Sequence, residues 1–118
     1  MMDFEELADK LRLFLKKEED GGKVPLAERR DLYHEIKIYF KKNPDTSMGR
    51  MRTKIQVDAL KFWAKASIKD KDEKILVKEE ASKMIKEFLG REEGGYFQHA
   101  SKIIYNVLPI LERKPEKT

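Results

Sequence analysis

The side chains of this sequence that are best suited to acid–base or metal chemistry near neutral pH are its two histidines, His34 and His99. His34 stands three residues after Asp31 and directly before Glu35, so a helix would bring these three side chains close to one another. Such a trio is usually a group of surface ion pairs, and no further ligands occur at the spacings typical of metal sites. We therefore predict that the protein holds no metal.

Other forms of catalysis lack their usual residues. The chain has no cysteine, which excludes thiol nucleophiles and thiolate zinc sites. Its serines are not flanked by the glycines of a nucleophile elbow, and its glycines do not form a phosphate-binding loop. Adjacent acids such as Glu79 and Glu80 do not face each other on a helix. We predict a non-enzymatic protein without a cofactor.

Basic residues are concentrated in the middle of the chain. Residues 21–69 contain twelve bases and five acids, whereas the formal charge of the whole chain is +4. The twelve bases are Lys23, Arg29, Arg30, Lys37, Lys41, Lys42, Arg50, Arg52, Lys54, Lys61, Lys65 and Lys69. Positive charge that is unbalanced within one segment is typical of a surface that meets a polyanion, although it also occurs on the solvated face of a lysine-rich protein.

Part of this charge lies on one predicted helix, over about residues 48–66. At about 100° per residue, four of its bases fall within a strip about 60° wide: Arg50, Lys54, Lys61 and Lys65. Cations repeated along a helix can each neutralise a phosphate and release its counterions. We expect five side chains of this helix to be the principal contacts to DNA or RNA: Arg50, Arg52, Lys54, Lys61 and Lys65.

Two lysines just before this helix, Lys41 and Lys42, are expected to be auxiliary contacts. They precede Asn43 and Pro44, where the previous helix should end because a residue before proline avoids helical geometry. Two helices joined by this short turn are similar to a helix-turn-helix motif, but the turn lacks the usual glycine. We assign no family. The leading hypothesis is a nucleic-acid-binding protein that is either regulatory or part of a larger nucleoprotein assembly.

The same helix predicts an alternative function, because it has two apolar faces. The first contains Met48, Met51, Ile55, Ala59, Phe62 and Ala66, and the second contains Val57, Leu60, Ala64 and Ile68. A helix with two apolar faces is either central in its bundle or uses one face to bind a partner. The alternative is therefore a protein interaction module or homo-dimer that docks through the second face. Trp63, at the rim of the first face, is a candidate for stacking on an unpaired base.

Helical periodicity covers most of the chain. Asp3 begins a capping box before the first helix, and Pro25 is suited to the start of a second. Pro109 should kink or end the last helix because proline lacks a backbone donor. The sequence predicts an all-α bundle of about five helices, forming a single domain over residues 1–111 with a flexible tail over residues 112–118.

One stretch, residues 67–77, is compatible with two structures. Helical periodicity can continue through it towards Ala81, but residues 69–73 are polar and turn-like. The run Ile75-Leu76-Val77 is typical of a strand, since two of its members are β-branched. We keep helix and small β-hairpin as alternatives here, with the next helix beginning at Lys78.

The setting of the protein is predicted from composition. No apolar run approaches the roughly 20 residues that cross a bilayer, and the acidic first residues are unlike a signal peptide. Charged residues make up 41% of the chain, and asparagine and glutamine are scarce, which is typical of proteins from hot environments. We expect a cytoplasmic protein that does not enter membranes.

Overall fold

The computed structural model describes residues 3–43, 49–90 and 96–112, apart from the side chains of residues 49 and 50. Within these ranges all regular secondary structure is helical, and the prediction of an all-α bundle is confirmed. The first four helices are α1 (Phe4–Glu19), α2 (Leu26–Lys42), α3 (Gly49–Ala66) and α4 (Lys71–Leu89). A last helical stretch consists of α5 (Tyr96–Lys102), a π-helical segment (Ile103–Val107) and α6 (Leu108–Leu111). None of these helices is long and apolar enough to cross a membrane.

Local signals set the ends of the first two helices. The Asp3 carboxylate accepts a hydrogen bond from the backbone N–H of Glu6 at 2.9 Å, as the predicted capping box requires. After α1 the chain turns at Gly21, whose φ of 91° is a conformation that side chains with a Cβ rarely adopt. Pro25 then directly precedes α2, where its fixed φ suits the start of a helix.

Helix α3 is the central helix of the bundle and packs against every other helix. The docking face predicted on it is therefore wrong as a surface. Val57, Leu60 and Ala64 each have 0% of their surface exposed, and Ile68 packs against the same core. The second apolar face exists because neighbours surround α3 on both sides, which was the other interpretation of its pattern.

The hairpin alternative for residues 67–77 is also wrong. Helix α4 begins at Lys71, seven residues before the predicted start, because Asp70 caps it. The Asp70 carboxylate accepts hydrogen bonds from the backbone N–H groups of Asp72 and Glu73, both at 3.1 Å. Val77 then faces the core from the second turn of α4. Capping and burial of a helical face outweigh the weak strand preference of the β-branched run.

Replacing Asp70 with alanine is expected to lower the free energy of unfolding by about 1 kcal/mol, because α4 loses its cap. Urea unfolding followed by circular dichroism measures this change. Asp70→Asn is the matched control, since asparagine also caps helices and should retain most of the stability. An equal loss of stability in Asp70→Ala and Asp70→Asn would show that the cap does not determine where α4 begins.

The last helix is not ended by Pro109. The backbone N–H of Leu108 donates to the carbonyl of Ile103, five residues earlier, and the helix then continues to Leu111. A proline in an ordinary α-helix would clash with the carbonyl four residues before it, and a wider π-helical turn relieves that contact. The helix therefore stays on the core and buries Ile110 and Leu111.

The helices share one apolar core, to which α1, α2, α3, α4 and the last helical stretch all contribute.

The flexible tail predicted for residues 112–118 lies outside the described residues except for Glu112. That residue is exposed, and its carboxylate lies 3.2 Å from the ammonium of Lys78.

Candidate nucleic-acid interface

Helix α3 reaches solvent mainly along one narrow strip. Its most exposed described side chains, Met51, Lys54 and Lys65, lie on the same side as the half-buried Lys61 and Asp58. Together these five positions span an arc of about 80° on the helix. We call them the α3 strip. Three of the five residues are lysines of the predicted basic strip, and burial of the other sides of α3 directs them towards solvent.

The lysines of the α3 strip keep their charge available. Among the residues described by the structure, no carboxylate lies within salt-bridge distance of Lys54, Lys61 or Lys65. The acid of the strip, Asp58, is instead bound by Lys102 from α5, with 2.8 Å between the ammonium nitrogen and the carboxylate oxygen. The strip therefore presents three cations without a neutralising acid from its own helix.

Arg52 does not belong to this surface, and its prediction as a phosphate contact is wrong. Its side chain is buried, with the guanidinium 5.2 Å from the ring centre of Phe40 and 5.8 Å from that of Tyr39. The ring of Phe4 is 6.0 Å away on α1, and the carbonyl of Asn43 accepts a hydrogen bond from the Nη1 of Arg52. Arg52 thus joins α1 and the end of α2 to α3.

The other predicted phosphate contacts are Arg50, Lys41 and Lys42. The side chain of Arg50 lies outside the described part of the chain, so its role stays a prediction. Lys41 and Lys42 are exposed at the end of α2. Their role as auxiliary phosphate contacts stays a prediction.

Other bases of the middle segment are bound by acids of α4. Arg30 Nη1 lies 2.6 Å from a carboxylate oxygen of Glu73, and Lys37 donates to both oxygens of Glu80 at 2.6 and 2.9 Å. The hydrogen bond that Arg30 donates to Glu73 raises the pKa of Arg30, which is charged in any case. Both glutamates are buried. The formal excess of positive charge in residues 21–69 is therefore larger than the charge its surface offers to a ligand.

The same region buries the aromatic residue that we considered for base stacking. Trp63 is fully buried and donates from its indole N–H to Glu73 at 2.8 Å, so it cannot stack on a base. Beside it, Tyr33 donates from its hydroxyl to the sulfur of Met84 at 3.3 Å. Burial, with a contribution from the charge of Glu80, raises the pKa of Tyr33 and keeps its phenol neutral. These contacts hold α2, α3 and α4 together.

The trio around the first histidine is not assembled as a site. His34 packs against Trp63 with 5.6 Å between ring centres, and Glu35 faces Lys10 of α1 at 3.6 Å. Asp31 is exposed to solvent. In the described ranges no three His, Asp or Glu side chains are positioned to hold a metal ion.

A groove runs beside the α3 strip, between α1 and α5, with α3 as its floor and a volume of about 550 Å³. Its apolar lining is Phe4, Ala8, Leu11, Leu15, Met51 and Ile55. Its polar lining is Arg12, Lys54, Asp58, Gln98 and His99. Sequence reasoning missed this groove because its walls come from three helices that are far apart in the chain.

No known protein family matches the chain, and no curated protein or solved structure resembles it at a significant level. The fold defines the class of protein, a helical bundle built around one central helix.

Proposed function

We propose that this protein is a non-enzymatic nucleic-acid-binding protein that contacts phosphates through Lys54, Lys61 and Lys65. The observation that carries the proposal is that these lysines have no acidic partner among the described residues and share the solvent-facing side of the central helix. Arg50, one turn before Lys54, belongs to the same interface in this proposal.

The spacing of the lysines suits a phosphate backbone. Lys54 and Lys65 are separated by about 16 Å along the helix axis, since an α-helix rises 1.5 Å per residue. This distance covers several nucleotides of a strand. Lysines that are not already paired lose no ion pair when they bind phosphate, so the release of counterions contributes fully to binding.

The small number of phosphate contacts bears on the biological role. Three lysine contacts, or four contacts with Arg50, predict a slope of about −2 to −4 when the logarithm of the binding constant is plotted against the logarithm of salt concentration. Binding at physiological salt is then modest. We therefore favour a cytoplasmic accessory protein of a larger nucleoprotein assembly over a regulator that recognises a DNA sequence alone.

The triple variant Lys54→Glu, Lys61→Glu and Lys65→Glu is expected to weaken binding to a labelled 20-nucleotide strand by at least about tenfold. The physical reason is that three phosphate contacts become repulsions. Fluorescence anisotropy over a series of salt concentrations measures both the affinity and the salt slope.

The matched control places the same change of charge on the exposed side of α4, as Lys71→Glu, Lys83→Glu and Lys86→Glu. We expect this control to weaken binding less than the α3 variant does at every salt concentration. Circular dichroism checks that both triple variants remain helical. Equal loss in the two variants, or no binding by the unchanged protein at low salt, would contradict the proposed function.

A further inference from the structure

The groove between α1 and α5 and the α3 strip share residues. Lys54, Met51 and Asp58 belong to both, so a strand whose phosphates follow the strip also passes the mouth of the groove. A volume of about 550 Å³ is within the usual range of small-ligand sites, about 300–1,000 Å³.

Charge in the groove favours an anionic ligand. Asp58 is bound by Lys102, and Arg12 is bound by Asp9 with 2.7 Å between nitrogen and oxygen. Lys54 is the groove cation that has no acidic partner among the described residues. The groove therefore offers one available positive charge next to an apolar lining.

The apolar lining is accessible to a ligand. Met51 is 54% exposed and Leu15 is 38% exposed, although both line the groove. Nearby, the exposed amide of Gln98 can both donate and accept hydrogen bonds, as the edge of a nucleobase requires. A nucleotide combines these features, since its flat base carries polar edges and its phosphate is negative.

The shape of the site selects for a single strand. The floor of the groove is an arc of about 100° on α3, and α1 and α5 flank it on either side. In a duplex the bases are stacked and paired inside the double helix, so they cannot enter such a groove, whereas an unpaired base can turn into it. From these features we propose that the groove binds an unpaired base of a single-stranded nucleic acid whose phosphate lies on Lys54. This inference rests on the proposed function.

The test compares three labelled probes that carry the same number of phosphates per strand: a 20-nucleotide thymidine strand, its duplex, and an abasic strand of equal length. At equal salt we expect the thymidine strand to bind at least about fivefold more tightly than the abasic strand or the duplex, since only this strand has an unpaired base that can enter the groove.

A neutral double variant, Met51→Gln and Leu15→Gln, separates the groove from the charges of the strip. We expect this variant to lose most of its preference for the thymidine strand, and to lose much less of its affinity for the abasic strand. The control replaces two exposed apolar residues of α4, Ile75 and Leu89, with glutamine and should retain the preference for bases.

Two results would overturn the inference while leaving the proposed function in place. One is equal affinity of the thymidine and abasic strands, with binding still lost in the triple lysine variant. The other is duplex binding that is equal to or tighter than single-strand binding. Unlabelled polyglutamate serves as a competitor without bases. If it displaces the labelled thymidine strand as well as an unlabelled thymidine strand of equal charge does, the groove does not distinguish bases and the inference fails. If no probe binds, the proposed function fails together with it.

Discussion

Leu60→Glu is expected to unfold the protein at neutral pH. Leu60 lies in the core with no exposed surface, so the new carboxylate would be buried among apolar side chains. An unpaired charge in such a position costs several kcal/mol even after relaxation, and the loss of the leucine packing adds to this cost. The sum is comparable with the whole stability of a typical domain, about 5–15 kcal/mol. Circular dichroism measures the loss of helix, and size-exclusion chromatography measures the larger size of an unfolded chain.

This substitution also distinguishes the core from an interface. If Leu60 were part of a docking face, the glutamate variant would remain helical and only its association would change. The control is Leu89→Glu, on the exposed side of α4, which should change the stability by about 0.5 kcal/mol or less. A Leu60→Glu variant that keeps its full helicity would contradict the central position of α3.

Arg29→Ala is expected to lower the free energy of unfolding by about 3–5 kcal/mol, because two backbone carbonyls each lose a hydrogen bond from a buried cation. Arg29 donates from Nε to the carbonyl of Val24 and from Nη1 to the carbonyl of Phe62, both at 2.9 Å. Its Nη2 lies 3.3 Å from the carboxylate of Glu18, and its guanidinium lies 4.0 Å from the ring centre of Phe62. Urea unfolding measures the loss.

Two further variants test the origin of this loss. Arg29→Lys should recover less than half of the stability, because an ammonium cannot reproduce the planar set of donors of a guanidinium. Arg12→Ala removes an arginine whose exposed ion pair with Asp9 should contribute no more than about 1 kcal/mol. Equal losses in Arg12→Ala and Arg29→Ala would show that the buried contacts of Arg29 do not stabilise the fold.

Features that depend on neighbouring residues were predictable from the sequence. Asp3 caps α1 and Pro25 precedes α2 because both act on backbone groups within a few residues of themselves. The grouping of Lys54, Lys61 and Lys65 on one side of α3 follows from the period of the helix and needs no tertiary contact.

The error at residues 67–77 has a local cause that the sequence did contain. The cap formed by Asp70 is a recognised helix start signal, but the β-branched run that follows it competes as a strand signal. The outcome depends on Val77, which reaches the core only if the run is helical. Burial of Val77 therefore adds to the cap of Asp70, and together they outweigh the strand preference of the run.

The tertiary structure decided whether each cation is paired, buried or exposed to solvent. Arg29 meets Phe62, and Arg30 meets Glu73, across 33 and 43 residues of sequence, and no pattern within one helix indicates such partners. Arg52 is buried among aromatic rings although its neighbour in the pattern, Lys54, is exposed. A count of formal charges cannot separate these cases, because whether a charge is paired depends on contacts between helices.

By itself the sequence determined the helical class, several helix ends and the alignment of the lysines on α3, since these follow from interactions within a few residues. The packing of the helices decided which side of α3 faces solvent and which arginines are buried. It also formed the groove beside Lys54 from α1, α3 and α5. The physical reason is that burial and ion pairing are properties of surfaces in contact, and these surfaces form only when distant segments of the chain come together.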